Sequence, residues 1–178
     1  MSSAKEKIVM DKDKISLVLK RIAREIVEKN KDIGDVVLVG IMNRGLPLAE
    51  RLAKLIQTSE KTEVPVGSLD VSLHRDDIRK KGSEIEVKRS DIPFSIDGKI
   101  VVLVDDVISA GRTIRAAMDG IADYGRASKI QLVALVDRGL RELPIHPDYI
   151  GEKISTTPDE DVIVNLSEID GVDKAVVK

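Results

Sequence analysis

Two adjacent carboxylates ahead of a run of small residues form the segment best suited to chemistry. Asp105 and Asp106 follow four aliphatic residues, and the small residues of 109–111 separate them from a helical pattern that begins at Arg112. A strand that ends where a helix begins presents unpaired N–H groups and the positive end of the helix dipole. Small residues allow that backbone to approach a phosphate closely. The pattern therefore predicts an anion site at the carboxyl end of a buried strand.

The two acids indicate what else this site binds. Carboxylates repel a phosphate, so Asp105 and Asp106 are expected to accept hydrogen bonds from ribose hydroxyls, while backbone N–H groups and the Thr113 hydroxyl hold the 5′-phosphate. The alternative is that the segment has no ligand and is simply the capped start of a helix, with both acids exposed to solvent. The predicted ribose 5-phosphate site consists of Asp105, Asp106, Val107, Ile108, Ser109, Ala110, Gly111, Arg112 and Thr113.

Composition argues against several other kinds of site. The chain has 178 residues, no cysteine and two histidines, so disulfides, thiolate chemistry and a zinc site are not expected. Its net charge of −2 provides no overall positive field for nucleic acid. There is no G-x-G-x-x-G, and the glycine spacing of 40–45 is followed by Leu46 and Pro47 where a P-loop needs Lys and Ser or Thr. No apolar run approaches the roughly 18 residues of a membrane span, so a cytoplasmic protein is expected.

The elements that must position the site alternate between strand and helix. Apolar runs and apolar alternation predict strands at 36–41, 64–73, 100–104 and 130–136. Apolar residues at helical spacing predict helices at 14–30, around 48–56 and at 112–124. This order with short turns predicts an α/β fold, a mostly parallel twisted sheet flanked by helices, in a single domain.

Two segments fall outside this alternation. Residues 74–99 are polar and charged, and a connection of that length is typical of a lid. The tail from Leu143 contains two prolines and short β-prone pieces near Tyr149 and at 162–164, and it is expected to form a small hood with the N-terminal segment. The predicted divisions are a core of about 32–142, a hood from the N-terminal segment and about 143–178, and a lid of about 74–99.

The segment 101–113 resembles the signature with which type I phosphoribosyltransferases bind 5-phosphoribosyl-1-pyrophosphate (PRPP). The segments 40–45, 70–77, 111–119 and 136–145 are similar to the pyrimidine operon attenuator (PyrR) family, and the last of them distinguishes this family within the superfamily. Members bind RNA and usually also act as uracil phosphoribosyltransferases. The resemblance implies a type I phosphoribosyltransferase fold and the conversion of uracil and PRPP to UMP and pyrophosphate. It also implies Mg²⁺ held mainly by substrate and water, without a protein metal site, and a homodimer or homotetramer.

The resemblance also assigns roles to particular residues. The pyrophosphate loop comprises Met42, Asn43, Arg44 and Gly45. The catalytic set comprises Asp105, Asp106, Arg44 and Arg75, the last in the charged lid. The uracil pocket comprises Val107, Arg138, Gly139 and the backbone near Ile150. Arg138 could equally brace the turn at Asp137. Purine enzymes usually carry an acid at the position of Ser109, so a purine base is disfavoured.

A basic helix face is the candidate for RNA binding. Lys20 and Arg24 are four residues apart and share a face, with Arg21 beside them, and Arg141 and His146 join them if the tail folds back. An ordinary solvated helix face is the alternative. The expected partners are PRPP, uracil, UMP- or UTP-type nucleotides and an mRNA leader hairpin. Two other functions stay open: a nucleotide-sensing RNA regulator with weak or no catalysis, and a phosphoribosyltransferase for a purine or orotate.

Overall fold

A parallel sheet forms the centre of the computed structural model, which describes residues 6–74 and 89–178. In the described part the sheet has the order β3-β2-β4-β5-β6, and every neighbouring pair is parallel. The strands are β1 Lys7–Met10, β2 Val36–Ile41, β3 Val66–Leu69, β4 Ile100–Ile108, β5 Lys129–Asp137, β6 Tyr149–Lys153, β7 Val162–Asn165 and β8 Lys174–Val177. The helices are α1 Lys12–Lys29, α2 Gly45–Glu60, α3 Arg112–Ala122 and α4 Ser167–Asp170, with a 3₁₀ turn at Ile33–Asp35. Among the helices of the described ranges, none is long and apolar enough to cross a membrane.

Helices cover both faces of the parallel sheet, which explains its apolar strands. Every residue of β2 is buried. α1 and α2 pack on one face through residues such as Ile22 and Leu52, and α3 packs on the other through Ile114 and Ile121. The predicted α/β fold with a mostly parallel, helix-flanked sheet is therefore confirmed.

A second, antiparallel sheet joins the two ends of the chain. β8 lies between β1 and β7, and Met10, Val164 and Ala175 extend the core on the α1 and α2 face. We call β1, β7, α4 and β8 the hood. The sequence places β6 in the hood as well, but β6 pairs in parallel with β5 and is an edge strand of the central sheet. The predicted hood range 143–178 is corrected accordingly, because a β-prone pattern reveals a strand but not the sheet that it joins.

The strand that carries the acid pair is longer than predicted. β4 continues past residue 104 to Ile108, because β5 runs beside it as far as the pairing of Ile108 with Asp137. The acid pair therefore lies within the strand, and the loop is limited to 109–111.

β3 is shorter than predicted. It ends at Leu69, because the Asp70 carboxylate accepts the N–H of Ser72 at 2.9 Å and turns the chain. The central part of the predicted lid, 75–88, lies outside the described residues, and so does Arg75.

A buried cluster of polar side chains ties α1 to β5 and β6. The Tyr149 hydroxyl donates to Gln131 Oε1 at 2.9 Å, and the side-chain amides of Gln131 and Asn30 bond each other at 3.0 and 3.1 Å. Asn30 Nδ2 also donates to the Tyr149 oxygen at 3.2 Å. Burial raises the pKa of Tyr149 to about 12, so the phenol stays a donor at neutral pH. The cluster sets the position of α1 against this edge of the sheet.

Tyr149→Phe removes this hydroxyl and is expected to lower the free energy of unfolding by about 1 kcal/mol. The loss is modest because Gln131 Oε1 keeps its hydrogen bond from Asn30. Urea denaturation measures the difference. Tyr124→Phe is the matched control: Tyr124 is 40% exposed, and its substitution should change stability by less than about 0.5 kcal/mol. Equal stability of Tyr149→Phe and wild type would show that the hydroxyl makes no net contribution.

Candidate active site

The structure brings the predicted ribose 5-phosphate residues around one cleft of about 320 Å³. The cleft lies where β4 ends and α3 begins. Its lining consists of Asp105, Val107, Ile108, Ser109, Ala110, Gly111, Arg112, Thr113, Ile114 and Glu142. Of the predicted set, only Asp106 is absent from this lining, and it adjoins the cleft through its neighbour in the strand.

The loop at 109–111 is held from behind by the segment that follows β5. The Ala110 carbonyl accepts two N–H groups of that segment, each at 3.0 Å, and the Ser109 carbonyl accepts Arg141 Nη1 at 2.9 Å. For the backbone N–H groups of the loop, no described residue is an acceptor. Gly111 has a φ of 93°, and α3 begins after it without a side-chain cap. The loop and the first turn of α3 thus form a cradle of N–H donors for an anion.

Glu142 is a cleft residue that the sequence did not reveal. Its carboxylate accepts Arg112 Nε at 2.6 Å, which places it beside the first turn of α3. No sequence signal predicts this contact, because the pattern of the β5–β6 connection does not show where it folds back.

The acid pair combines burial with hydrogen bonding. Asp105 is buried and its carboxylate accepts the N–H of Asp106 at 3.0 Å, while the Asp106 carboxylate accepts the N–H of Val107 at 2.9 Å. Burial raises the pKa of Asp106, against the opposing effects of hydrogen bonding with Asp105 and of the nearby Arg44 charge. In the two described ranges, no group of three or more acidic or histidine side chains is arranged to hold a metal ion.

The predicted pyrophosphate loop lies against the end of β4. A side chain at Gly45 would come within 2.2 Å of the Val104 carbonyl oxygen, so only glycine permits this approach. The peptide bond between Met42 and Asn43 is cis. Arg44 pairs with Asp170 of the hood, with Nη2 and Oδ1 2.9 Å apart. The loop and the acid pair are thus adjacent.

A second cleft of about 280 Å³ opens where β5 and β6 end. Its lining comprises Asp137, Arg138, Gly139, Arg141, His146, Lys153, Ile154 and Ser155. Two residues predicted for uracil, Arg138 and Gly139, are found here, whereas Val107 lines the first cleft. Ile150 lines neither, because it lies before the end of β6 and its carbonyl accepts Arg21 Nη2 at 2.9 Å. Residues 153–155 at the end of β6 line this cleft, and the predicted role of the backbone near Ile150 stays a prediction.

The Arg138 side chain holds the hood loop at 156–161. Its Nε donates to Thr156 Oγ1 at 3.0 Å and its Nη1 to Asp161 Oδ1 at 2.7 Å, and Nη2 bonds two carbonyls of the same loop. The alternative prediction for Arg138 is that it braces the turn at Asp137. Its side chain does brace a segment of the chain, but that segment is the loop at 156–161.

Comparison with known proteins identifies the family. A family model described as phosphoribosyl transferase domain matches residues 7–169. The chain is 52% identical over 172 residues to the bifunctional protein PyrR of Chloroflexus aurantiacus, covering 97% of this chain and 94% of that protein. It is 56% identical over 169 residues to the bifunctional protein PyrR of a Thermoanaerobacter species, covering 95% of each. The chain belongs to the PyrR family of phosphoribosyltransferases.

Solved structures of more distant enzymes share the fold of this PyrR family member. A hypoxanthine-guanine phosphoribosyltransferase of Bacillus anthracis superposes with a TM-score of 0.72 at 19% identity, covering 97% of this chain and 96% of that one. The hypoxanthine phosphoribosyltransferase of Trypanosoma cruzi with its product IMP gives 0.72 at 18% identity, covering 99% and 91%. The predicted type I phosphoribosyltransferase fold is confirmed.

The residues predicted for RNA binding in this PyrR family member fall into two groups. Lys20 and Arg24 are exposed on α1, and no described side chain pairs with them. Arg21 is exposed too, but its guanidinium bonds Glu25 and two β6 carbonyls. His146 is exposed at the second cleft.

Arg141 lines the second cleft, and its guanidinium is bound to other residues of the protein. Its guanidinium forms a two-pronged pair with Asp137 at 2.9 and 2.8 Å and donates to the Ile145 carbonyl at 2.7 Å. Burial alone would raise the pKa of Asp137, but Arg141 and the Gly139 N–H outweigh burial and hold that pKa below its usual range. Arg141 is thus engaged within the protein, and its RNA role stays a prediction. A pairing across a turn is not visible in the spacing of charges.

Arg141→Ala breaks this pair and is expected to lower the free energy of unfolding by about 3 kcal/mol at neutral pH. Because the folded-state pKa of Asp137 is depressed, the stabilisation is present above the usual Asp pKa and is lost as pH falls through the folded value. The difference from wild type should therefore shrink in acid. Arg24→Ala is the control and should change stability by less than about 0.5 kcal/mol. Denaturant unfolding at several pH values measures both, and a near-neutral Arg141→Ala would contradict the bracing role.

Proposed function

We propose that the cleft at the end of β4 binds PRPP and transfers its phosphoribosyl group to uracil, forming UMP and pyrophosphate. Membership of the PyrR family confirms the predicted function, a pyrimidine operon regulator with uracil phosphoribosyltransferase activity. The observation that carries the site assignment is the N–H cradle at 109–111 directly beside the acid pair, of which Asp105 is buried. An anion site and a hydroxyl site at this spacing suit the two ends of a ribose 5-phosphate.

The acid pair would act on the ribose. Loop N–H groups and Thr113 hold the 5′-phosphate, and Asp105 and Asp106 accept hydrogen bonds from the ribose hydroxyls. Breaking the bond at the anomeric carbon develops positive charge on the ribose. Two carboxylates fixed beside it stabilise that charge more strongly in the transition state than in the ground state.

The leaving pyrophosphate would lie on the loop at 42–45. The loop lies against the end of β4 at Gly45. Arg44 supplies a guanidinium, a charged group with several N–H donors that binds phosphate oxygens well. Arg75, in the lid, is proposed to join them.

The residues present fit a magnesium ion that arrives with PRPP. Asp105 and Asp106 offer the oxygen ligands that Mg²⁺ prefers, through water, while PRPP supplies the others. When bound, the ion neutralises charge on the pyrophosphate.

The base would occupy the second cleft, between the ends of β5 and β6. Its lining combines polar side chains, including Lys153 and Ser155, with the apolar Ile154, a mixture that suits a small heterocyclic base. No acid stands at Ser109, which favours uracil over a purine.

Asp105→Asn combined with Asp106→Asn is expected to lower UMP formation by at least about 100-fold, because each charge-assisted hydrogen bond contributes roughly 1.5–3 kcal/mol. The assay follows UMP from uracil and PRPP with Mg²⁺, with hypoxanthine and orotate in parallel. Activity of the double variant near that of wild type would mean that the site is wrong. Turnover with hypoxanthine or orotate instead of uracil would contradict the base assignment. UMP binding without turnover of any base would favour the nucleotide-sensing regulator.

The single variant Asp106→Asn should raise the melting temperature at neutral pH. Burial raises the pKa of Asp106, so the ionised carboxylate disfavours the folded state above that pKa, and the penalty disappears below the unfolded pKa. The gain should therefore vanish in acid, a trend that a calorimetric pH series resolves.

We propose RNA as the second ligand, on the α1 face that carries Lys20, Arg21 and Arg24. The support is that Lys20 and Arg24 are exposed without a described partner, so their charge is available to a phosphate backbone. Aromatic residues form 2% of the chain, which favours backbone and base-edge contacts over stacking. The homodimer or homotetramer is a proposal that rests on the family resemblance. The cytoplasmic location stays a prediction from the sequence.

Lys20→Ala with Arg24→Ala is expected to weaken binding of a pyrimidine-operon leader hairpin and to reduce the slope of log affinity against log salt by about 1.5, leaving UMP formation unchanged. Filter binding across a salt series measures the slope. Lys54→Ala on α2 with Lys61→Ala at the residue after α2 removes the same charge elsewhere and should leave the slope as it is. An unchanged slope for the α1 variant would remove this face from consideration.

A further inference from the structure

A turn of the hood reaches the proposed pyrophosphate loop. Asp170, at the end of α4, binds Arg44 through both carboxylate oxygens: Nη2 and Oδ1 are 2.9 Å apart, and Nε and Oδ2 are 3.3 Å apart. This is the side-on, planar geometry that fixes a guanidinium in one orientation. The two residues are 126 positions apart in sequence, so only the packing of the hood brings them together.

The Asp170 carboxylate is itself held in place. Its Oδ2 also accepts the N–H of Leu166 at 2.9 Å. The surrounding turn is fastened to α2 by Arg51, which bonds Glu168 at 2.6 Å and Asp173 at 2.8 Å. Hydrogen bonding from Arg44 holds the pKa of Asp170 below its usual range, so the carboxylate is ionised at neutral pH. Asp170 is thus a fixed charge on a fixed turn.

Arg44 keeps donors for a second partner. A guanidinium has more N–H groups than the two that Asp170 occupies, and no described residue accepts from Nη1. The same guanidinium is close enough to Asp106 for its positive charge to lower the pKa of that carboxyl, against the effect of burial. The Nη1 edge is therefore free while the side chain is held next to the acid pair.

We propose that Asp170 is a positioning residue for PRPP: by clamping Arg44 it presents the Nη1 edge of the guanidinium to the pyrophosphate group. The proposal rests on the proposed function and extends it to the hood. A long, flexible arginine loses rotamer freedom when it binds a ligand, and a side chain that is already ordered avoids most of that loss. The effect should be confined to ligands that carry pyrophosphate, because UMP has no group at this position.

The test is calorimetric titration of the full chain with PRPP and Mg²⁺, and separately with UMP. Asp170→Asn should weaken PRPP binding by about tenfold and leave UMP binding unchanged. The Asn side chain retains an oxygen that can accept the Leu166 N–H, so the turn is preserved. Asp170→Ala, which lacks this oxygen, is the second variant. Glu168→Gln is the matched control, because it removes one acidic partner of the same turn that contacts Arg51 and not Arg44, and it should leave PRPP affinity unchanged.

The deciding measurement is Asp170→Asn in an Arg44→Ala background. If Asp170 acts through Arg44, Asp170→Asn should cause no further loss of PRPP affinity in a protein that already carries Arg44→Ala. An additive loss, an equal loss for PRPP and UMP, or unchanged PRPP binding by the single variant would overturn the proposal. Tighter PRPP binding would also overturn it, because Asp170 would then compete with pyrophosphate for Arg44.

Failure of the proposed function has a different signature. A wild-type chain that binds PRPP but forms no UMP contradicts the uracil reaction, while the titrations still decide the role of Asp170. A wild-type chain that does not bind PRPP overturns both.

Discussion

The parallel pairing of β4 with β5 is the interaction on which the rest of the site depends. It continues to Ile108 and Asp137, which carries the acid pair inside the sheet and brings the chain after β5 alongside the loop at 109–111. That chain binds the loop carbonyls, and no described residue accepts from the loop N–H groups. Burial of Asp106 at this position is unfavourable for an ionised carboxyl. The buried carboxylate thus lowers the stability of the fold at the position where acceptors for the ribose hydroxyls are needed.

Arginine side chains connect segments that are distant in sequence. Arg138 holds the 156–161 loop, Arg51 holds the α4 turn, and Arg44 meets Asp170. A planar guanidinium with several donors can bond two or three acceptors at once, which a lysine ammonium matches less well. Arg51 attaches the hood to α2, while Arg44 and Arg138 attach it and the loop before β7 to the ends of β2 and β5. The hood is therefore part of the active-site geometry as well as a cover for the α1 and α2 face.

The two proposed functions share one packed pair of elements. α1 carries the exposed cations, and β6 ends at the second cleft. Arg21 bonds the carbonyls of Ile150 and Gly151, and Lys14 pairs with Glu152 at 3.0 Å. A side chain at Gly151 would meet the Leu135 carbonyl oxygen at 2.2 Å, so close packing of β6 requires glycine there. The proposed RNA face and the proposed base cleft are thus built on the same contact between helix and strand.

The sequence by itself determined the α/β class, the site at the end of β4 and nearly all of its lining, because these depend on local order: an apolar strand, two acids, small residues and a helix start. It also indicated that Met42 to Gly45 lie at a neighbouring strand end. Only the tertiary structure decided that β6 belongs to the central sheet, that residues 153–155 line the second cleft, and that Glu142 reaches the first. It alone showed that Arg138 and Arg141 are braces and that Asp170 holds Arg44. The physical reason is the same in each case. A charged side chain can pair with many groups, and a β-prone segment can join more than one sheet. The long-range packing of the chain decides which partner each of them has.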